Sequence, residues 1–200
     1  MTNPGLKRHL CVLLVIVATA VQAFGLAGAA ARSAAPGAPA TVTYLPLVVQ
    51  AAPPACALNQ QEQQLATLLI NDPDQHHTSL TCHPILAQVA RERAQDMVNR
   101  HYFSHTNPDG HGANYLVVQA GYVLPGMYSS APDGNNIESI AAGYPAASAT
   151  WTGWMNSPGH RAHLLGETQF YAEQREYGIG YASGGDYHYY WVVIIAKPGP

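Results

Sequence analysis

Charge is scarce in this chain. Of 200 residues only 10% are Asp, Glu, Lys or Arg, nine basic against twelve acidic, for a net charge of −3. No Lys/Arg cluster lies past Arg8, which removes the electrostatic footprint that nucleic-acid binding requires. No Gly-x-Ser-x-Gly occurs, so a nucleophile elbow has no support, and no His-Glu-x-x-His occurs to mark a zinc-protease helix. Ser104 beside His105 does not replace them, because sequence neighbours rarely form a nucleophile–base pair. There is no internal repeat, which excludes solenoid architectures. Cysteine is limited to Cys11, Cys56 and Cys82. Histidine, by contrast, is abundant: ten residues of the side chain that titrates near neutral pH and commonly binds metals.

The first segment, 1–31, reads as a secretory signal peptide. Lys7-Arg8-His9 precedes an uncharged run from Leu10 to Ala31 that ends in small residues, with cleavage expected between Ala30 and about Ala34. The alternative is an uncleaved N-terminal anchor, since the run approaches the length of a membrane span. Either way the remainder is exported. Residues 32–55 form an Ala/Pro-rich linker. Within it Thr41 to Val49 is apolar, either a short edge strand around Pro46 or a sticky tether. After cleavage Cys56 and Cys82 are left as an even pair in an oxidising compartment, so they are expected to form a disulfide.

Residues 56–200 carry the folded domain. Leu58, Leu65, Leu68 and Leu69 form one face of a first helix ending by Asn71-Asp72-Pro73. Pro84 opens a second helix to about Arg100, with Ile85, Leu86, Val89, Ala90, Ala94, Met97 and Val98 as a stripe. Arg91, Glu92, Arg93, Gln95 and Asp96 are expected to be its solvated face. Asn114 to Gly121 is a short helix and Tyr122 to Asn136 a long loop. Ala146 to Met155 is helical and is broken by Ser157-Pro158-Gly159, with one further turn expected over Ala162 to Leu165. Tyr177 to Ala182 and Tyr187 to Ala196 read as strands joined by a Ser-Gly-Gly-Asp turn. The last is apolar on both faces, so it belongs in the middle of a sheet with helices on each side.

Three stretches look made to meet: His101-Tyr-Phe-Ser-His105, Ile137-Glu-Ser-Ile-Ala-Ala-Gly143 and Trp154-Met-Asn-Ser-Pro-Gly-His-Arg161. Together with Asn71, Asp109-Gly110, Ala120-Gly121-Tyr122 and Gly178-Ile-Gly180, this ordered set resembles the CAP superfamily, and within it the short bacterial members. That superfamily takes in cysteine-rich secretory, antigen 5 and pathogenesis-related 1 proteins. The resemblance implies an α+β fold, the CAP-type α-β-α sandwich, with a small antiparallel sheet between helical layers.

It also implies a surface cleft holding two histidines and two glutamates. By motif, His105, Glu138 and His160 match three of the four. The usual Gly-Glu-Asn-Ile reads Ile137-Glu-Ser-Ile140 here, and the second glutamate has no counterpart, Ser157 or Asn156 standing near its place. A cleft triad is therefore expected. Two imidazoles and a carboxylate suit Zn²⁺ with water in the fourth position, and the competing reading has Glu138 merely orienting the histidines. His101 and His163 are accessory candidates for the same cleft or else helix-surface residues. His76, His77 and His83 are expected to be exposed beside a loop, with an accessory metal site as the alternative. His111 and His188 are expected at the surface, and the tyrosines from 177 to 190 in sheet packing.

Function follows from the cleft. An extracellular binding module for a divalent metal or a small apolar ligand stands ahead of a metal-dependent hydrolase, because metal binding does not establish turnover. A lipid or sterol carrier would need a groove, for which Tyr122, Leu124 and Met127 are the local candidates. The partner is an extracellular lipid, cell-envelope component or protein, with a membrane involved only through an uncleaved N-terminus.

Overall fold

The structure, a computed structural model, describes residues 56–200. The segments expected to be a signal peptide or anchor and a linker, with the apolar stretch 41–49, lie outside the described residues. The elements follow in the order α1 (Gln60–Asn71), β1 (Thr81–Cys82), α2 (Pro84–Arg100), α3 (Ala113–Gln119), β2 (Glu138–Ala142), α4 (Ala147–Met155), α5 (Pro158–Leu165), α6 (Gln169–Ala172), β3 (Glu176–Gly184) and β4 (His188–Ala196).

Four strands pair in the order β1-β3-β4-β2. β3–β4 and β4–β2 are antiparallel, and only the two-residue β1 runs parallel to its neighbour. β4 is thus central, as its uninterrupted apolar run requires. Its side chains alternate between two cores. Tyr190, Val192, Ile194 and Ala196 pack with Leu86, Val89, Ala90 and Met97 of α2 on one face. Trp191, Val193 and Ile195 pack with Leu65, Leu69, Trp151, Trp154, Leu164 and Leu165 from α1, α4 and α5 on the other. Period-two alternation along one strand is what turns a two-sided hydrophobic run into three layers.

The Gly178-Ile-Gly180 motif has a steric reason. Both glycines face α2, and a Cβ on either would run into the α2 backbone, at Leu86–Ala87 and at Ala90–Arg91. The helix therefore lies closer to β3 than a side chain would allow. α1 begins with a capping box: Asn59 Oδ1 accepts from the Glu62 N–H at 2.9 Å, and Glu62 Oε2 accepts from the Asn59 N–H at 2.9 Å.

Several expectations are revised. Ser157-Pro158 does not merely break α4. Proline is well suited to a first helical position, so the same residues start α5 at Pro158, a full turn before the expected Ala162. β1, β2 and α6 are too short to leave a periodic signature. On α2, Arg93 is buried at 2% exposure, and Arg91 pairs with the buried Glu62 at 2.8 Å, so that face is not simply solvated. His77 is buried, not exposed.

Cys56 and Cys82 form the expected disulfide, fastening the segment before α1 to β1. The bridge spans 26 positions, and closing a loop of that size contributes up to about 3.5 kcal/mol in the chain-entropy model. Replacing both cysteines by serine should lower unfolding stability towards that figure in urea titrations. A loss under about 1 kcal/mol would show that packing alone already holds the α1 terminus.

Candidate functional site

The site is organised around the first residues of β2. Successive side chains of a strand point to opposite faces, and here Glu138 turns towards α2 while Ser139 turns towards α5. Each meets a histidine on its own side. A cleft of about 270 Å³ runs past this strand end, lined by His105, Asn135, Asn136, Glu138, Ser139, Ser157, Gly159, His160, His163 and Tyr171.

On the α2 side, Arg93 is the organiser. Its Nε donates to Glu138 Oε1 at 2.9 Å and its Nη2 to Oε2 at 3.3 Å. The same Nη2 donates to the carbonyls of Ser104 and His105, at 2.8 and 3.0 Å, while Nη1 donates to the Tyr102 hydroxyl at 2.6 Å. Tyr102 in turn donates to Asp96 at 2.6 Å. One guanidinium therefore fixes both the carboxylate and the segment carrying His105.

His105 Nδ1 lies 2.9 Å from Glu138 Oε2, and the Asn135 amide nitrogen also lies 2.9 Å from it. Asn135 Oδ1 accepts the N–H groups of Ile137 and Glu138, so its amide nitrogen must face His105. Both partners cannot be satisfied by one nitrogen. The charge-assisted bond is the stronger, so Nδ1 carries a hydrogen and donates it to the carboxylate. Burial by itself raises the Glu138 carboxyl, but the His105 hydrogen bond and the Arg93 charge outweigh it and hold the group below its ordinary 4.5. Glu138 thus contributes stability that is present above about pH 4.5 and is lost as the pH falls through its lowered value.

On the other side, His160 occupies the first turn of α5, with Nδ1 2.8 Å from Ser157 Oγ. Ser157 is the residue that would cap α5, yet it makes no capping bond. One turn later His163 is buried, with Nδ1 2.7 Å from Ser139 Oγ. Burial pushes His160 below its ordinary value, helped by the nearby His105, and pushes His163 down to about 3, helped by His77 and His160.

The cleft brings together His105, Glu138, His160, Ser157 and His163. It does not include His101, which is exposed at the end of α2 with its ring on Asp186 at 2.9 Å, nor Asn156, which ends α4. Sequence reasoning misses Arg93 and Ser139. Arg93 has a signal: it falls three residues after Ala90 and four before Met97, on the buried stripe of α2.

Of the three residues matched by motif, Glu138 is already engaged. Both Glu138 oxygens are taken by Arg93 and His105, and its side chain has no exposed surface. Among the described residues no three His, Cys, Asp or Glu side chains are grouped to hold a metal ion. Glu138 acts as the partner that orients His105.

Residues 75–195 match the CAP family, the cysteine-rich secretory protein family. The chain belongs to it. It is 29% identical over 100 residues to YkwD of Bacillus subtilis (strain 168), a stretch of 50% of this chain and 34% of that protein, so the chain spans about a third of that relative's length. Among solved structures it is similar to an extracellular SCP-domain protein of Bacillus anthracis strain Ames, 29% identical over 68% of this chain and 40% of that one, TM-score 0.49. It is also similar to an outer surface protein of Borrelia burgdorferi, 19% identical over 62% of this chain and 80% of that one, TM-score 0.48. The CAP fold expectation holds, with β1 as the one parallel strand in the sheet.

Removing Arg93 leaves a buried carboxylate without its counter-charge, a defect that costs about 3–5 kcal/mol. Arg93→Met should therefore destabilise the CAP domain by that order, and the double variant with Glu138→Gln should recover a substantial part of it. Thermal unfolding of the two variants at pH 7 checks this. No recovery in the double variant would mean that the pair is not coupled.

Proposed function

We propose that this CAP protein is an exported binding module whose cleft takes a neutral, hydroxyl-rich ligand the size of a single sugar ring, as carried by glycans of a cell envelope. The observation that supports this is the character of the lining. It consists of imidazoles, the Asn136 amide, the hydroxyls of Ser157 and Tyr171, and two groups already held within the protein, the Asn135 amide and the Glu138 carboxylate. Hydroxyls, amides and neutral imidazoles each both donate and accept, which matches sugar hydroxyls and gives no purchase to a strongly charged ligand. The N-terminal apolar run and the disulfide support export.

Binding without turnover is favoured because the carboxylate that a hydrolase would use as base is fully committed. An apolar carrier draws less support. Tyr122 is buried with its hydroxyl on Glu176 at 2.8 Å, Leu124 packs on the core, and Met127 alone stands open at 60% exposure.

Chitotriose is the probe. Titrated into isotope-labelled protein, it should shift the resonances of Asn135, Asn136, His160 and Tyr171, and His160→Ala should weaken binding roughly tenfold, the value of one lost hydrogen bond. Shifts confined to other surfaces, or hydrolysis of the probe, would overturn the reading. Zn²⁺ titrated in parallel should give no binding that depends on both His105 and His160. Such binding would replace the glycan reading with a metal one.

A further inference from the structure

α5 carries two histidines of opposite circumstance. His160 opens into the cleft from its first turn, whereas His163, three residues later, is 4% exposed and faces the sheet. The last carbonyls of α5 are held by a strap from the loop between α1 and β1. The His76 N–H donates to the Leu165 carbonyl at 2.8 Å, the Gln75 amide donates to Leu164 at 3.2 Å, and His77 Nε2 lies 3.2 Å from the His163 carbonyl. The helix is thus docked by its buried histidine, by Leu164 and Leu165 in the core and by its C-terminal end.

The surroundings of the His163 ring favour its neutral form, burial outweighing a backbone hydrogen bond at Ile195 that favours the proton. From β2 it meets the Ser139 hydroxyl, and the neighbouring Glu138 is already closed off by Arg93 and His105. From β4 the backbone at Ile195 approaches it, and from α6 the Tyr171 ring packs edge-on at 5.1 Å. The remaining groups that face it are His77 from the strap, His160 on its own helix and His105 across the cleft. Arg161 and Glu167 pair with each other at 2.9 Å on the outside. Among the described residues the titratable groups around the ring are histidines, a tyrosine and the already paired Glu138, and its buried Nε2 has no side-chain partner. A second proton would place a bare charge in the sheet-facing core, where an unpaired charge is strongly disfavoured.

We propose that α5 is an acid-sensitive wall of the cleft, undocking when His163 takes a proton and carrying His160 away from the ligand site. The proposal gives the cleft a pH control, and only its consequence for ligand rests on the glycan reading. Burial holds His163 down to about 3, against 6.5 when the ring is free. For a group lowered in the folded state, the docking energy is complete above the free value and is lost as pH falls towards the folded one. At pH 4.5 the opening equilibrium of α5 should be about 100-fold larger than at pH 7.5. His77 adds less. Burial lowers it too, but its two nitrogens face the carbonyls of Gln174 and His163, which favour the proton.

Amide hydrogen exchange read by NMR tests this without any ligand. Between pH 7.5 and 4.5 the protection factors of Ala162 to Leu165 should fall about 100-fold and stay well below those of β4. His163→Asn, whose amide reaches the Nδ1 position but does not titrate, should abolish that fall, and His77→Asn should retain it. Exchange of α5 and β4 at one common rate at pH 4.5, or an unchanged fall in His163→Asn, would overturn the proposal. Should His163→Asn fail to fold, ring-carbon titration of His163 in the unaltered protein decides. A midpoint below about 4 supports the proposal and one near 6.5 contradicts it. Failure of chitotriose to bind leaves these readouts intact, so the two proposals fail separately.

Discussion

The contact between Arg93 and Glu138 is the constraint on which the rest of the site depends. A buried ion pair is a poor source of net stability, because the cost of taking both charges out of water offsets their attraction. Its value here is positional. The guanidinium spends its donors on the carboxylate, on Tyr102 and on two carbonyls of the segment leading to His105. Three pieces of chain, from α2, the loop after it and the more distant start of β2, are thereby fixed to one planar group. A lysine at that position would offer charge without the fork geometry needed to hold all three.

The two sides of the cleft are chemically unlike because β2 sends alternate residues to opposite faces. Glu138 meets an arginine and an imidazole that donates to it, so that side is charged but internally neutralised. Ser139 meets an imidazole that, among the described residues, is paired with no carboxylate, so that side is neutral and intolerant of acid. One side is therefore held by paired charges, and the other is held only while its histidine stays uncharged. This asymmetry follows from a single residue step along a strand.

Much of this is legible in the residues themselves. Trp154 to Arg161, Tyr102 to His105 and the Gly178-Ile-Gly180 motif are dense, ordered signals, and the two-sided apolar run of β4 places it at the sheet centre. Other features leave no such trace. β2 is five residues long and its polar start breaks the hydrophobic pattern, so nothing in Glu138–Ala142 announces a strand. Pro158 reads equally as a helix breaker and as a helix opener, and the choice depends on the tertiary neighbours of His160 to Leu165. Arg93 is easily passed over because charged residues on a helix are usually solvated, even though its spacing puts it on the buried stripe. The occupation of Glu138 goes unread for a related reason. Sequence brings Glu138 and the histidines together but does not reveal a fourth group that already occupies the carboxylate.

The proton on His105 tests the central arrangement most directly. If Glu138, held ionised by Arg93, is the dominant partner, Nδ1 carries the hydrogen. If the Asn135 amide dominates instead, Nδ1 is the acceptor and Nε2 carries the hydrogen. Long-range ¹H–¹⁵N spectra of the imidazole rings at pH 7.5 distinguish the two tautomers. The Arg93–Glu138 constraint requires the Nδ1–H form at His105, lost in Arg93→Met. An Nε2–H form in the unaltered protein would contradict it.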